Sequence, residues 1–173
     1  YFDIEKSNVV EKNSSGDYEL LGEVRSKGVE TELLMKPLEN WQVKLGYAYV
    51  DSEISENPDA SIQGSRTPMT AYHDAYFWTK YNFPYQIAGG VVGTTLGANY
   101  EGARYTSEDP SSRVELPAYV TVDLGVQYEV TDYRVSLNLA NVFDETYYVG
   151  GTDSQRIYAG DPREVPLSLT GQV

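Results

Sequence analysis

Cysteine is absent from this 173-residue chain, and histidine occurs once, at His73. Together these scarcities remove a disulfide scaffold, a thiolate metal centre and a cysteine nucleophile. A transition-metal site would have to be built from carboxylates. A Ser-His-Asp arrangement would have to recruit His73, and no serine sits in a nucleophile elbow. No segment sustains a helical period, so no glycine-rich phosphate loop precedes a helix. No enzyme activity, metal site or cofactor is therefore expected. No run of about 18 apolar residues occurs either, which excludes a transmembrane helix. It leaves open a membrane protein that crosses with strands, whose alternating residues keep mean hydropathy low. Basic charge is scarce: 13 Lys and Arg stand against 26 Asp and Glu, a net charge of −13. A phosphate backbone calls for clustered cations, so nucleic acid is not an expected partner. The chain opens Tyr1-Phe2-Asp3-Ile4-Glu5, with no initiator Met and no signal-peptide pattern, and reads as a mature segment or a fragment.

What is abundant is tyrosine, with 16 residues. An apolar ring with a hydroxyl suits a boundary between water and hydrocarbon. The hydrophobic period is two. From Trp41 to Tyr49 the odd positions are Trp, Val, Leu, Tyr and Tyr, against Gln42, Lys44, Gly46 and Ala48. Val120, Val122, Leu124, Val126 and Tyr128 oppose Thr121, Asp123, Gly125 and Gln127 in the same way. Such alternation predicts strands with one apolar and one polar face. Eight are expected, over roughly 1–10, 18–36, 41–55, 67–83, 87–105, 115–130, 133–148 and 157–173.

Short turns are expected at 37–40, 84–86 and 130–132, and longer links near 11–17, 56–66, 106–114 and 149–156. Short turns on one rim and long loops on the other are the pattern of an all-β, antiparallel transmembrane β-barrel segment. Its up-and-down strands would form a curved open sheet. Asp51, Glu53 and Asp59 read as solvated loop acids rather than calcium ligands. Glu30 and Glu32 share one face of the second strand, which keeps them off hydrocarbon, in a wet lumen or on a solvated face, and favours a wide barrel. Trp41 and Trp78 are expected in the aromatic girdle on the short-turn rim. Gly89, Gly90 and Gly93 are read as slim residues relieving a curved strand.

Specific motifs accompany the pattern. Leu137-Asn138-Leu139-Ala140-Asn141-Val142-Phe143-Asp144-Glu145-Thr146-Tyr147-Tyr148 resembles the N-L-F-D-x-x-Y-Y segment of TonB-dependent receptors, and Gly160-Asp161-Pro162-Arg163-Glu164-Val165 resembles their G-x-P-R-x-V, siderophore receptors above all. Ser26 to Glu32 is similar to the family's R-x-G-V-E-x-E, Asn99 to Tyr105 to its R-Y-x-G-x-R-Y, and Leu116 to Tyr119 to its L-P-x-Y. The stretch from Thr67-Pro68 to Trp78-Thr79-Lys80-Tyr81 is similar to a further strand of that family. Six motifs in the family's order span nearly the whole chain. The resemblance implies a barrel of about 22 strands, with residues 1–173 as its C-terminal portion and the plug domain and earlier strands lying outside this chain. Two departures stand out. Val173 and Gly171 occupy positions where the family commonly has aromatics, and Pro166 removes a ladder donor near the start of the last strand.

The resemblance further implies a bacterial outer-membrane receptor that imports ferric siderophore or a similar metal chelate. Its partners would be outer-membrane lipid and, through the plug region, TonB. Arg104, Tyr105, Tyr147, Tyr148, Arg156 and Tyr158 flank the long loops and are the candidate ligand-binding residues. Aromatic faces and cations in a partly desolvated mouth can hold an anionic or planar ligand. The plainer account of each is an interfacial tyrosine or a rim charge. Two other readings of the chain are a complete eight-strand outer-membrane barrel with a structural or adhesive role, and a soluble sugar-binding β-sandwich.

Overall fold

The computed structural model describes residues 1–12 and 17–171. Its strands are β1 (Phe2–Lys12), β2 (Tyr18–Leu38), β3 (Trp41–Glu56), β4 (His73–Ile87), β5 (Gly90–Glu101), β6 (Arg104–Tyr105), β7 (Glu115–Leu116), β8 (Tyr119–Val130), β9 (Tyr133–Leu139), β10 (Tyr148–Asp153), β11 (Arg156–Ala159) and β12 (Leu167–Gly171). Eight of them form one antiparallel sheet in the order β1-β2-β3-β4-β5-β8-β9-β12. The pairs β6–β7 and β10–β11 are separate small hairpins. Among the described residues there is no helix, and β1 and β12 do not pair with each other. The sheet is therefore open, as expected, and neither a closed eight-strand barrel nor a two-sheet sandwich. Most of the expected link at 11–17, and the terminal Val173, lie outside the described residues.

Cross-strand register sorts the side chains into two faces. One row runs Leu33, Leu45, Phe77, Ala98, Val122 and a second runs Met35, Val43, Thr79, Leu96, Leu124, Leu139. These rows make an apolar outer face, and though Val43 is buried, several of its large side chains are exposed: Leu33 is 49% and Leu124 43% accessible. A contiguous apolar patch left open on this scale is a surface made for lipid. Aromatics bound it at both ends. On the short-turn side stand Trp41, Tyr81, Phe83 and Tyr85, with the Tyr81–Phe83 and Phe83–Tyr85 ring centroids 5.3 and 5.6 Å apart. On the long-loop side Tyr47, Tyr49, Tyr72 and His73 stack at 5.3–6.4 Å. Between Trp41 and Tyr49 the strand rises ~26 Å at about 3.3 Å per residue. A barrel's apolar band is roughly 25 Å tall.

The other face is polar. Glu30, Ala48, Asp74, Glu101 and Tyr119 form one row across it, and Glu32, Gly46, Tyr76, Asn99 and Thr121 the next. Glu30 and Glu32 thus sit where their alternation placed them. Trp78 is a correction. It pairs with Lys44 and Gly97 on this polar face, and the Lys44 ammonium lies 6.0 Å from its ring centroid, so it belongs to no lipid girdle. Trp41 does face outward, its indole N–H donating to Thr79 Oγ1 at 2.7 Å.

Several strand ends differ from expectation, each for a local reason. Residues 67–72 are irregular because Pro68 lacks a donor and Met69 is left-handed (φ 58°). The turn expected at 84–86 lies at Ala88-Gly89, where φ values of 49° and 83° suit a tight hairpin. Pro84 instead falls in a register shift between Asn82 and Gln86. Gly89 is accordingly a turn residue, while at Gly90 a Cβ would meet the Tyr128 ring at 2.5 Å. The strand expected over 133–148 stops at Leu139, and that over 157–173 divides between β11 and β12. Pro166 lies opposite Asn138, whose N–H its carbonyl accepts at 3.0 Å; having no N–H it returns no bond to Asn138, so the expected loss of one ladder donor holds.

Candidate functional site

The long connections β3–β4, β5–β8 and β9–β12 fold together above the sheet's long-loop rim. The segment from Asn141 to Glu145 anchors the third. Asn141 is left-handed (φ 48°) and 4% exposed. Its amide group donates to the carbonyls of Glu145 (2.9 Å) and Asp161 (3.2 Å), and its side-chain oxygen accepts the Glu145 N–H (2.9 Å). Its own N–H reaches Asp123 Oδ1 on β8 at 2.8 Å. One asparagine therefore ends β9, shapes the turn and ties it to Gly160-Asp161-Pro162-Arg163. Asp144 adds a bond from the Arg163 N–H at 2.9 Å. These two motifs are one structural unit.

The other connections lace onto this unit. The Met69 N–H donates to the Tyr105 carbonyl at 2.8 Å, and the Arg104 Nη2 to the Tyr148 carbonyl at 2.7 Å. A Cβ built on Gly151 would come within 2.8 Å of the Thr106 methyl, so β10 and β6 touch closely. Ile54, Ser65, Ala71, Thr106 and Leu116 are all buried here. The layer has a small core of its own.

The candidate residues divide within it. Arg104 is buried, 1% exposed, with Nε 3.0 Å from Glu101 Oε1 in an ion pair. That approach is too bent to count as a hydrogen bond, and among the described residues Nε and Nη1 have no hydrogen-bond partner. Tyr147 is half-buried, stacked on Tyr119 with centroids 4.5 Å apart, and its carbonyl accepts the Gly160 N–H. Tyr119 donates to Glu101 Oε2 at 2.5 Å. Arg104, Tyr147 and Tyr148 thus meet around Glu101 and Tyr119. Tyr105 lies apart on β6, under the Arg113 guanidinium (4.1 Å to the ring centroid). Tyr148 and Tyr158 are exposed on the β10–β11 hairpin. Arg156 turns back at its tip to Asp153, Nη2 to Oδ2 2.7 Å.

Two mouth arginines, Arg66 and Arg113, had no motif to mark them. Arg66 lies over the Tyr72 ring at 3.1 Å and donates through Nη2 to the carbonyls of Val50 and Thr70; Arg113 covers Tyr105. The only cue was cation and aromatic spacing around Pro68, which sequence alone does not pair. The loop carboxylates Asp59, Asp109 and Asp153 all have pKa values held below the ordinary one. For Asp59 the Ser61 hydroxyl is the largest cause, for Asp109 the Ser111 backbone N–H, and for Asp153 the Gln155 backbone N–H followed by the Arg156 side chain. They remain charged in any ordinary medium. Among the described residues no group of three His, Cys, Asp or Glu side chains is arranged to hold a metal ion.

The family model described as TonB dependent receptor-like, beta-barrel matches residues 1–142. The metal-pseudopaline receptor CntO of Pseudomonas aeruginosa is 31% identical over 98% of this chain and 24% of its own length. The ferrichrome outer membrane transporter/phage receptor of Escherichia coli K12 is 29% identical over 86% of this chain and 20% of its own length. Among solved structures, the siderophore receptor PiuA of Acinetobacter baumannii superposes with a TM-score of 0.82 at 24% identity, over 96% of this chain and 24% of that one. The ferric-catecholate import receptor Fiu of E. coli K12 gives 0.77 at 27% identity, over 96% and 24%. The chain spans about a quarter of the length of the relatives it matches.

Proposed function

The chain belongs to the TonB dependent receptor-like β-barrel family, and from that premise we propose that its full-length protein imports a ferric siderophore or a similar metal chelate. Its place is the bacterial outer membrane. Residues 1–173 are the C-terminal portion of the barrel, preceded by further strands and a plug domain. They supply a sector of wall and part of the outer mouth. Energy relayed by TonB through the plug region drives the cargo inward. Its relatives are transport receptors rather than enzymes.

One observation carries the reading: a single open sheet has a lipid-suited face and an acidic, polar face, and its three long connections gather tyrosines and arginines on one rim. Tyr105, Tyr148, Tyr158 and Arg156 are the contact candidates, Tyr147 supports them from its stack on Tyr119, and Arg104 acts through the loops it holds. Relatives that are receptors for metal-pseudopaline, ferrichrome and ferrioxamine B support this cargo class. The test is uptake of radiolabelled ferric chelates by receptor-deficient bacteria carrying the full-length gene, with and without TonB. The reading predicts TonB-dependent accumulation of at least one chelate, lost when residues 149–158 are deleted from an otherwise assembled barrel. Accumulation that ignores TonB, or none across hydroxamates, catecholates and carboxylate-type chelates, rejects it.

A further inference from the structure

We propose that Arg104 is a positioning residue of the mouth, a buried latch that fastens the β10–β11 hairpin to the barrel wall. The need for one begins in the sheet register. Asp74 and Glu101 are paired directly across β4 and β5, and like charges in that relation repel. Arg104 offsets the repulsion. The chain leaves β5 at Glu101, passes Gly102, whose N–H donates to the His73 carbonyl, and returns the Arg104 guanidinium to Glu101 three residues later. Tyr119 donates to the other Glu101 oxygen and lies 5.7 Å from the guanidinium carbon. Wall carboxylate, tyrosine and arginine form one knot at the top of the polar face.

From that knot a single bond reaches the hairpin: Arg104 Nη2 to the Tyr148 carbonyl at 2.7 Å. The Tyr119–Tyr147 stack lies beside it. Tyr147 and Tyr148 lead into β10, so the latch fixes where the exposed Tyr148 and Tyr158 rings stand. The side chain is fully covered, yet Nε and Nη1 lack hydrogen-bond partners among the described residues. A guanidinium buried with so few bonds contributes little to stability for its own sake. Its geometric product is the attachment of one hairpin. For chelate capture, the consequence rests on the import reading; the latch itself does not.

The experiment uses the full-length protein in outer-membrane vesicles and two tryptic sites already present. Arg156 lies in the β10–β11 hairpin, and Arg113 in the β6–β7 connection serves as the control. Assembly is scored by heat-modifiable gel migration. Arg104→Met is expected to speed cleavage after Arg156 roughly tenfold, about the factor that loss of one charge-assisted hydrogen bond carries, and to leave cleavage after Arg113 unchanged. Arg104→Lys keeps the charge beside Glu101 and is expected to restore part of the protection. Glu101→Gln keeps the side-chain shape, loses the ion pair, and is expected to expose Arg156 as well; it carries the test if Arg104→Met does not assemble. Unchanged cleavage after Arg156, or an equal rise at both sites, overturns the latch. Ferrichrome and ferrioxamine B serve as binding probes. Whichever the wild type binds is expected to bind at least ~10-fold more weakly to Arg104→Met. If the wild type binds neither, the import reading loses support, while the cleavage result still decides the latch.

Discussion

The sheet and the loop layer above it are held together in opposite ways. In the sheet, backbone ladders run long between neighbours with a few register shifts, yet large apolar side chains such as Leu33, Leu124 and Val126 stay exposed on the outer face. In the loops the ladders are short and broken, and most of the buried residues gather there, among them Ile54, Ala71, Arg104, Thr106, Leu116 and Asn141. The wall turns its apolar side chains out toward the bilayer, and its edge strands β1 and β12 do not pair with each other among the described residues. The mouth builds its own interior from polar bonds. A wall of this kind tolerates change on one face only, whereas the mouth depends on a few side chains with several partners each.

The largest test of that contrast is an arginine on each face of β3. In the intact barrel, Leu45→Arg is expected to cost about 2–4 kcal/mol if it lies near the membrane midplane. Lys44→Arg, on the polar face, is expected to cost little. Denaturant titration of the protein folded into lipid vesicles measures both. Similar losses from the two would erase the distinction between the faces.

Asn141→Ala comes next. It removes three side-chain hydrogen bonds and leaves an alanine at φ 48°, for about 1–3 kcal/mol. The effect should be local. Hydrogen exchange should accelerate at Glu145 and Arg163 and stay unchanged at β3 and β4; a uniform acceleration would mean that mouth and wall unfold as one unit.

Trp41→Phe keeps an aromatic at the boundary and loses only the bond to Thr79, so a loss of about 0.5–1.5 kcal/mol is expected. Trp78→Phe, on the polar face, has no such bond to lose among the described residues. Equal costs in vesicle titrations would contradict the assignment of the two indoles to opposite faces.

The smallest effect concerns the hairpin tip. Asp153 has a depressed pKa in the folded state, so its contribution is fully present above the ordinary carboxylate value of about 4 and is lost as pH falls through the depressed value. The mobility of a nitroxide at Ser154 should therefore stay constant from neutral pH down to about 4 and rise only below it. In Asp153→Asn that acid transition should disappear. A transition near neutrality would assign it to another group.

How much was readable in the sequence follows the same division. The eight strands of the sheet, the two faces and the wet position of Glu30 and Glu32 were legible, because alternation is local and each residue reports its own side. Near the ends it misled. The strand expected over 133–148 runs past Leu139 into Val142-Phe143-Asp144-Glu145, which does not alternate, and there Asn141 and Asp144 are left-handed and turn the chain away. Trp41 and Trp78 look alike in the sequence, and only parity within the paired strands puts them on opposite faces. Arg104 showed its charge and its aromatic neighbour, not its burial.

By itself, then, the sequence determined an all-β, two-faced array with short turns on one rim and long connections on the other, and through its motifs the family. Nearest-neighbour geometry suffices for that, since a strand's faces follow from a period of two. The tertiary structure alone decided which distant residues meet: Arg104 with the Tyr148 carbonyl, Tyr119 with Tyr147, Asn141 with Asp161. Those contacts join segments separated by 20 to 44 positions. They exist because the register of β5, β8 and β9 delivers three loops to one rim, which no local pattern encodes.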